Sequence, residues 1–305
     1  MSLRFDDRVV IVTGAGQGLG RSHAREFARR GAKVVVNDLG GASSGGGSDE
    51  SVAQQAVDLI KAEGGDAVAN TDSVENGAQI VACAMDNYGR VDVVVNNAGI
   101  LRDASFAKMS DEDWDLIYRV HLLGSMRVTR AAWPHMREAG YGRVIMTTSV
   151  AGIYGNFGQA NYAASKLGLF GLAQTLAIEG APKNILVNTV GPTAGSRLTE
   201  TVLPKNVTDA LKPEYVTPAV VLPCHESSRA TGRLFEVGGG WVSETRWEQT
   251  QGVFFQDDFT ADDLTGRWAE ATSFENARHA SKISESKSGM VERMGAHVPL
   301  APQKK

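Results

Sequence analysis

Short apolar, β-branched runs alternate along this chain with longer stretches of helical periodicity. Residues 9–12, 33–38, 67–69, 91–95, 143–147, 185–190 and 234–237 read as strands. Residues 19–30, 50–63, 75–88, 111–138 and 159–180 read as the helices between them. The strands are almost continuously apolar rather than alternating, which marks strands covered on both faces. Such strands, separated by helices, predict a doubly wound α/β fold with a parallel sheet of about seven strands. Two segments break the rhythm. Residues 40–48, a Gly/Ser-rich insertion after the second strand, read as a flexible, exposed loop. Beyond residue 243 the alternation stops. The expected organisation is therefore one domain over 1–243 and a C-terminal extension over 244–305. In the extension Thr260 precedes an acid-rich first turn and reads as a helix N-cap. Its last ~25 residues are polar and read as loosely ordered.

Composition narrows the class. Of 305 residues 42% are hydrophobic and 22% charged, enough apolar surface for a substantial core and too much for a disordered chain. No apolar run approaches the ~20 residues of a membrane span. A net charge of -4 argues against nucleic acid as the main partner. Cys83 and Cys224 are the only cysteines, too few for a disulfide framework or a four-cysteine zinc site. Cys224-His225-Glu226 resembles a fragment of a metal site, but no second cysteine or histidine lies nearby, and no metal is expected. With no apolar leader segment at the start and Gln303-Lys304-Lys305 at the end, the expected location is cytoplasmic. The five tryptophans share no spacing and read as core residues.

The chemistry concentrates at strand ends. The first strand runs into Thr13-Gly14-Ala15-Gly16-Gln17-Gly18-Leu19-Gly20 and a helix follows, the Rossmann-type arrangement that cradles a pyrophosphate. The second strand ends in Asp38, a carboxylate placed to accept both adenosine ribose hydroxyls and to repel a 2′-phosphate; no Arg or Lys follows it, so NAD is favoured over NADP. Tyr162 and Lys166 stand four apart on one helical face. An adjacent ammonium pulls a phenol down from its ordinary pKa of ~10, and such a pair can move a proton to or from an alcohol oxygen. Ser149 closes the preceding strand, where its hydroxyl can meet the same oxygen.

Taken together, the Gly14–Gly20 turn, Asn96-Asn97-Ala98-Gly99, Ser149 and Tyr162-x-x-x-Lys166 resemble the short-chain dehydrogenase/reductase superfamily. Residues 36–41, 97–103, 110–114, 152–159 and 234–238 resemble, within it, the (3R)-hydroxyacyl-CoA dehydrogenase units of multifunctional enzymes. The resemblance implies an NAD-dependent oxidation of a (3R)-hydroxyacyl-CoA, with Tyr162 as acid/base, Lys166 lowering its pKa and holding the nicotinamide ribose, and Ser149 orienting the reacting oxygen. It places Gly14, Gln17, Gly18, Leu19 and Gly20 at the pyrophosphate and Asp38 at the ribose. Asp72, Ser73 and Val74 fall at the adenine, and Asn97, Ala98 and Gly99 along the cofactor's middle. Pro192, Thr193, Ala194, Gly195 and Ser196 would form a loop folding over the nicotinamide. His121 stands where the superfamily usually has an asparagine that holds a water behind the lysine; a similar role and a buried histidine bonded to backbone are both open. Arg102 and Lys108 are candidates for the phosphates of an acyl-CoA, or solvated loop charges. The resemblance also implies a homodimer or tetramer, with the extension packing at an interface or covering the substrate site. A steroid or other secondary alcohol is the alternative substrate, and a non-catalytic NAD-binding scaffold the alternative class.

Overall fold

In the computed structural model, which describes residues 3–195, 210–255 and 258–293, the first apolar run forms β1 (Val9–Thr13) and the glycine turn leads into α1 (Gly18–Arg29). The alternation then continues through β2 (Lys33–Asn37), α2 (Ser51–Ala62), β3 (Asp66–Asn70), α3 (Gly77–Tyr88) and β4 (Val93–Asn96). It runs on through α4 (Asp111–Tyr118), α5 (Ser125–Ala139), β5 (Gly142–Thr147), α6 (Val150–Tyr154), α7 (Ala160–Gly180) and β6 (Ile185–Thr193). After it come α8 (Thr217–Cys224), β7 (Leu234–Gly238) and β8 (Trp241–Thr245). Eight strands form one sheet in the order β3-β2-β1-β4-β5-β6-β7-β8. All neighbours pair in parallel except β7 and β8.

The continuous apolar runs are explained by the pleat. Val10 and Val12 of β1 pack with Val34, Val36 and Phe27 on one face, while Val9 and Ile11 pack with Val35, Val94 and Met146 on the other. Successive residues point to opposite sides of a strand, so a sheet buried on both faces makes every position apolar. Each such side chain contributes about 1.5–3 kcal/mol by leaving water.

Several expectations need correction. The sheet has an eighth strand that periodicity did not reveal, because Trp241 and Val242 of this antiparallel edge are more than half exposed. It crosses the boundary expected at 243, and the compact units are Met1–Thr245 and Arg246–Lys305. The helix expected over 111–138 is three pieces: a six-residue π-helical segment, Arg119–Gly124, separates α4 from α5. Trp133 packs against the core, but Trp114, Trp241, Trp247 and Trp268 are exposed in this chain.

In the unit Arg246–Lys305, Thr260 caps the helix Ala261–Gly266 in a reciprocal box with Asp263, as its sequence predicts. Residues expected to be loosely ordered instead include the short helices Ile283–Ser286 and Ser288–Arg293; residues 294–305 lie outside the described residues. No described helix is long and apolar enough to cross a membrane.

Candidate active site

The carboxyl ends of β1, β2, β4, β5 and β6 open onto one cavity of about 420 Å³. Every residue assigned above to the cofactor from Gly14 to Ala194 borders it, together with Ser149, Tyr162, Lys166 and His121. Gly195 is not on its wall, and Ser196 lies outside the described residues.

At one end the glycines are required by space. Gly14 has φ +63°, and a Cβ there would stand 2.7 Å from Ala98 Cα; a Cβ on Gly20 would stand 2.1 Å from the Gly14 carbonyl oxygen. Thr13 Oγ1 accepts the N–H groups of Asn97 and Ala98, while the Asn97 amide donates to the carbonyls of Thr13 and Gly14. Asn97 thus fastens the end of β4 to the glycine turn as well as lining the cavity. Asp38 follows β2, accepting the Gly16 N–H on one oxygen and the Gly40 N–H on the other, both at 2.8 Å. Asp72 accepts from Asn70, whose side-chain oxygen in turn accepts from Asn37. The bare backbone, the carboxylate and the adjoining Asp72 fit a dinucleotide.

The insertion at 40–48 is not a free loop. Gly41, Ala42, Ser43 and Gly45 border the cavity, the Ser43 carbonyl accepts the Leu101 N–H, and the Ser44 carbonyl accepts Arg102 Nε at 2.6 Å. Arg102 also pairs with Asp113 at 3.3 Å. Its charge therefore holds two loops together, while Lys108 stays exposed. The cover loop expected at 192–196 is also partly strand, since Pro192 and Thr193 pair with Val237 and Gly238.

At the other end stand the reacting groups. Ser149 is the N-cap of α6 and accepts the Ala151 N–H at 3.1 Å, which leaves its own proton free to donate. Tyr162 and Lys166 project from the first turns of α7, and Lys166 Nζ lies 5.5 Å from the Tyr162 ring centre. Lys166 is buried and donates to the Thr147 carbonyl at 2.6 Å; burial brings it down to about 7 from its ordinary 10.5. Burial pushes Tyr162 up to about 12, against the Ser149 hydroxyl, which favours the phenolate, while the Asp103 charge raises it further. Burial is the first cause of the Tyr162 shift, and the Lys166 ammonium is turned to the Thr147 carbonyl.

His121 is fully buried in the π-helical segment. Its Nε2 lies 3.1 Å from the Ile100 nitrogen and 2.8 Å from the Ile100 oxygen, and its Nδ1 has no partner. The ring meets Tyr162 edge-on, with centres 5.2 Å apart. Burial and the nearby Lys166 hold it well below its ordinary pKa, against the hydrogen bond to Ile100, so the ring is neutral. Both readings left open by the sequence find a structural counterpart, a backbone bond at one nitrogen and an unclaimed nitrogen at the other.

The sequence reading missed Asn156 and Gln159, which also line the cavity. The available signal was position, because Gln159 precedes Tyr162 by three residues and so shares its side of the helix start. Among the described residues no group of three or more His, Cys, Asp or Glu could hold a metal ion.

Comparison with known proteins agrees with this geometry. The short chain dehydrogenase family profile matches residues 8–209, and the chain belongs to the short-chain dehydrogenase/reductase family. It is therefore an oxidoreductase of a family that uses NAD(P) and small-molecule substrates. A short-chain type dehydrogenase/reductase of Mycobacterium tuberculosis is 48% identical over 90% of this chain and 97% of its own. Peroxisomal multifunctional enzyme type 2 of mouse is 57% identical over 95% of this chain, but the match covers 40% of that protein. The solved full-length peroxisomal multifunctional enzyme type 2 of Drosophila melanogaster superposes with a TM-score of 0.82 at 41% identity, over 96% of this chain and 50% of that one. The chain thus spans half or less of these multifunctional relatives. Their names overturn the cytoplasmic location expected from the sequence. Organelle addresses are short signals read by receptors and leave no trace in composition or fold.

Proposed function

We propose that this chain is an NAD-dependent dehydrogenase that oxidises the 3-hydroxyl of a (3R)-hydroxyacyl-CoA to the 3-ketoacyl-CoA. The observation that carries the reading is the joining, in one cavity, of a glycine cradle with Asp38 to the group Ser149, Tyr162 and Lys166. The naming of the relatives supports a peroxisomal location, and the resemblance carried by residues 36–41, 97–103, 110–114, 152–159 and 234–238 supports the acyl-CoA substrate.

In this reading Gly14, Gln17, Gly18, Leu19 and Gly20 bind the pyrophosphate through backbone N–H groups, and Asp38 takes the ribose hydroxyls. Asp72, Ser73 and Val74 meet the adenine, and Pro192, Thr193 and Ala194 close the nicotinamide end. Bound NAD supplies the hydride acceptor. Ser149, which accepts the Ala151 N–H, donates its own proton to the substrate oxygen and fixes it beside Tyr162. Tyr162 Oη takes the hydroxyl proton in oxidation and returns it in reduction. Lys166, near neutrality in its pKa, has the buried ammonium needed to steady the phenolate once the cofactor ribose adds partners for its charge. A 2′-phosphate would face the Asp38 carboxylate, followed only by Leu39 and Gly40. Self-association as a homodimer belongs to the same proposal and is tested by light scattering.

The decisive assay is NADH formation from (3R)- and (3S)-hydroxyacyl-CoA over several chain lengths, with NADP as the control cofactor. The expected result is turnover of the (3R) series with NAD, lost by at least about 100-fold in Tyr162→Phe. Full activity of Tyr162→Phe, or turnover confined to free alcohols, would overturn the reading.

A further inference from the structure

Two neutral carboxamides, Asn156 and Gln159, border the cavity that holds the reacting groups, and their orientation is fixed by a charge. Gln159 Nε2 donates to Asp103 Oδ2 at 2.8 Å. A carboxylate can only accept, so the Gln159 nitrogen must face Asp103 and its oxygen must face the other way. There it accepts Asn156 Nδ2 at 3.0 Å. The loops carrying these groups are joined by the Ala104 N–H donating to the Gly158 carbonyl at 2.9 Å. Each carboxamide nitrogen carries two hydrogens. Among the described residues these two bonds are the only ones the side-chain amides make, which leaves one N–H on each unspent. Both residues border the cavity, and Asp103 is close enough for its charge to bear on Tyr162.

Uncharged N–H donors in the same cavity as the acid/base phenol suit an uncharged acceptor oxygen close to the reacting carbon. A 3-hydroxyacyl thioester carries such an oxygen two carbons away, on C1. A free 3-hydroxy acid would instead bring a carboxylate toward Asp103 and meet like-charge repulsion. Resting on the dehydrogenase reading above, we propose that Gln159 and Asn156 form a second oxygen subsite that binds the thioester carbonyl. Held in register by Asp103, this subsite selects 3-hydroxyacyl thioesters over isolated secondary alcohols and over free 3-hydroxy acids.

The experiment compares kcat/KM for a 3-hydroxyacyl-CoA with that for the matched thioether, S-(3-hydroxyalkyl)-CoA, which lacks only the carbonyl oxygen. One neutral hydrogen bond corresponds to a preference of about tenfold for the thioester in wild type. In Gln159→Leu that preference should fall to about unity through a rise in KM for the thioester, with the dissociation constant of NADH unchanged. Asp103→Asn, at an exposed position, lets the Gln159 amide turn over and should lose part of the preference; it keeps the test open if Gln159→Leu folds poorly. An undiminished thioester preference in both variants overturns the subsite while leaving the dehydrogenase reading intact. Absence of any turnover of the thioester by the wild-type protein overturns that reading, and the subsite with it.

Discussion

Replacing Lys166 with methionine should change how stability depends on pH, and the structure gives the sign. Lys166 is 3% exposed, and burial brings its pKa to about 7, against 10.5 for the ordinary side chain. Between those values the unfolded chain binds one more proton than the folded one. Stability contributed by this site therefore rises with pH across the window, at up to about 1.4 kcal/mol per pH unit. From pH 7.5 to 9.5 the gain is about 2–3 kcal/mol. Methionine fills a similar volume without a charge, so Lys166→Met should lack the slope. The assay is urea unfolding of both proteins at several pH values, taking the difference between their stabilities at each. Other titrating groups, such as Tyr88 and Cys224, which burial raises, are common to both proteins and drop out of the difference. The wild type should gain on the variant by 2–3 kcal/mol from pH 7.5 to 9.5, on the order set by that linkage. Parallel curves would refute the claim that burial, rather than pairing with Tyr162, governs this lysine.

Three further outcomes follow from particular contacts. In Gly99→Ala the new Cβ would stand 2.5 Å from His121 Cε1, against a fully buried ring; overpacking of this kind costs about 1–3 kcal/mol and should lower the thermal midpoint by several degrees in calorimetry. An unchanged midpoint would mean that His121 moves aside freely. Asp38→Ala removes the acceptor for the Gly16 and Gly40 N–H groups; KM for NAD should rise about tenfold or more, and the preference over NADP should shrink in steady-state assays with both cofactors. Arg102→Ala frees the Ser44 carbonyl and should speed NADH release in stopped-flow fluorescence, with stability changed by about 0.5 kcal/mol or less; an unaltered release rate would show that the 40–48 segment does not restrain the cofactor.

The part of the molecule legible from residues alone is the part governed by short-range rules. A strand buried on both faces writes itself as a run such as Val9-Val10-Ile11-Val12, and a helix face as the i,i+4 pair Tyr162 and Lys166. The Thr260 cap is decided within four residues. The glycine turn and Asp38 were readable because a tight backbone approach and a strand-end carboxylate leave few residue choices.

What tertiary structure decided concerns valences that only folding fills. Nothing in the string shows that His121 reaches Ile100, 21 residues away, or that Arg102 spans to Ser44 and so turns a Gly/Ser-rich insertion into a wall of the cavity. Nor does it show Gln159 meeting Asp103 across 56 residues. The same holds for the reacting pair, whose spacing along the helix is legible but whose depth of burial, which raises Tyr162 and lowers Lys166, is not. Sequence by itself determined the doubly wound sheet and the identities of the chemical groups, because periodicity and local spacing act over a few residues. The tertiary structure decided which of those groups are desolvated, which are already bonded and which remain free to act, because burial and hydrogen-bond partners come from segments far apart in the chain.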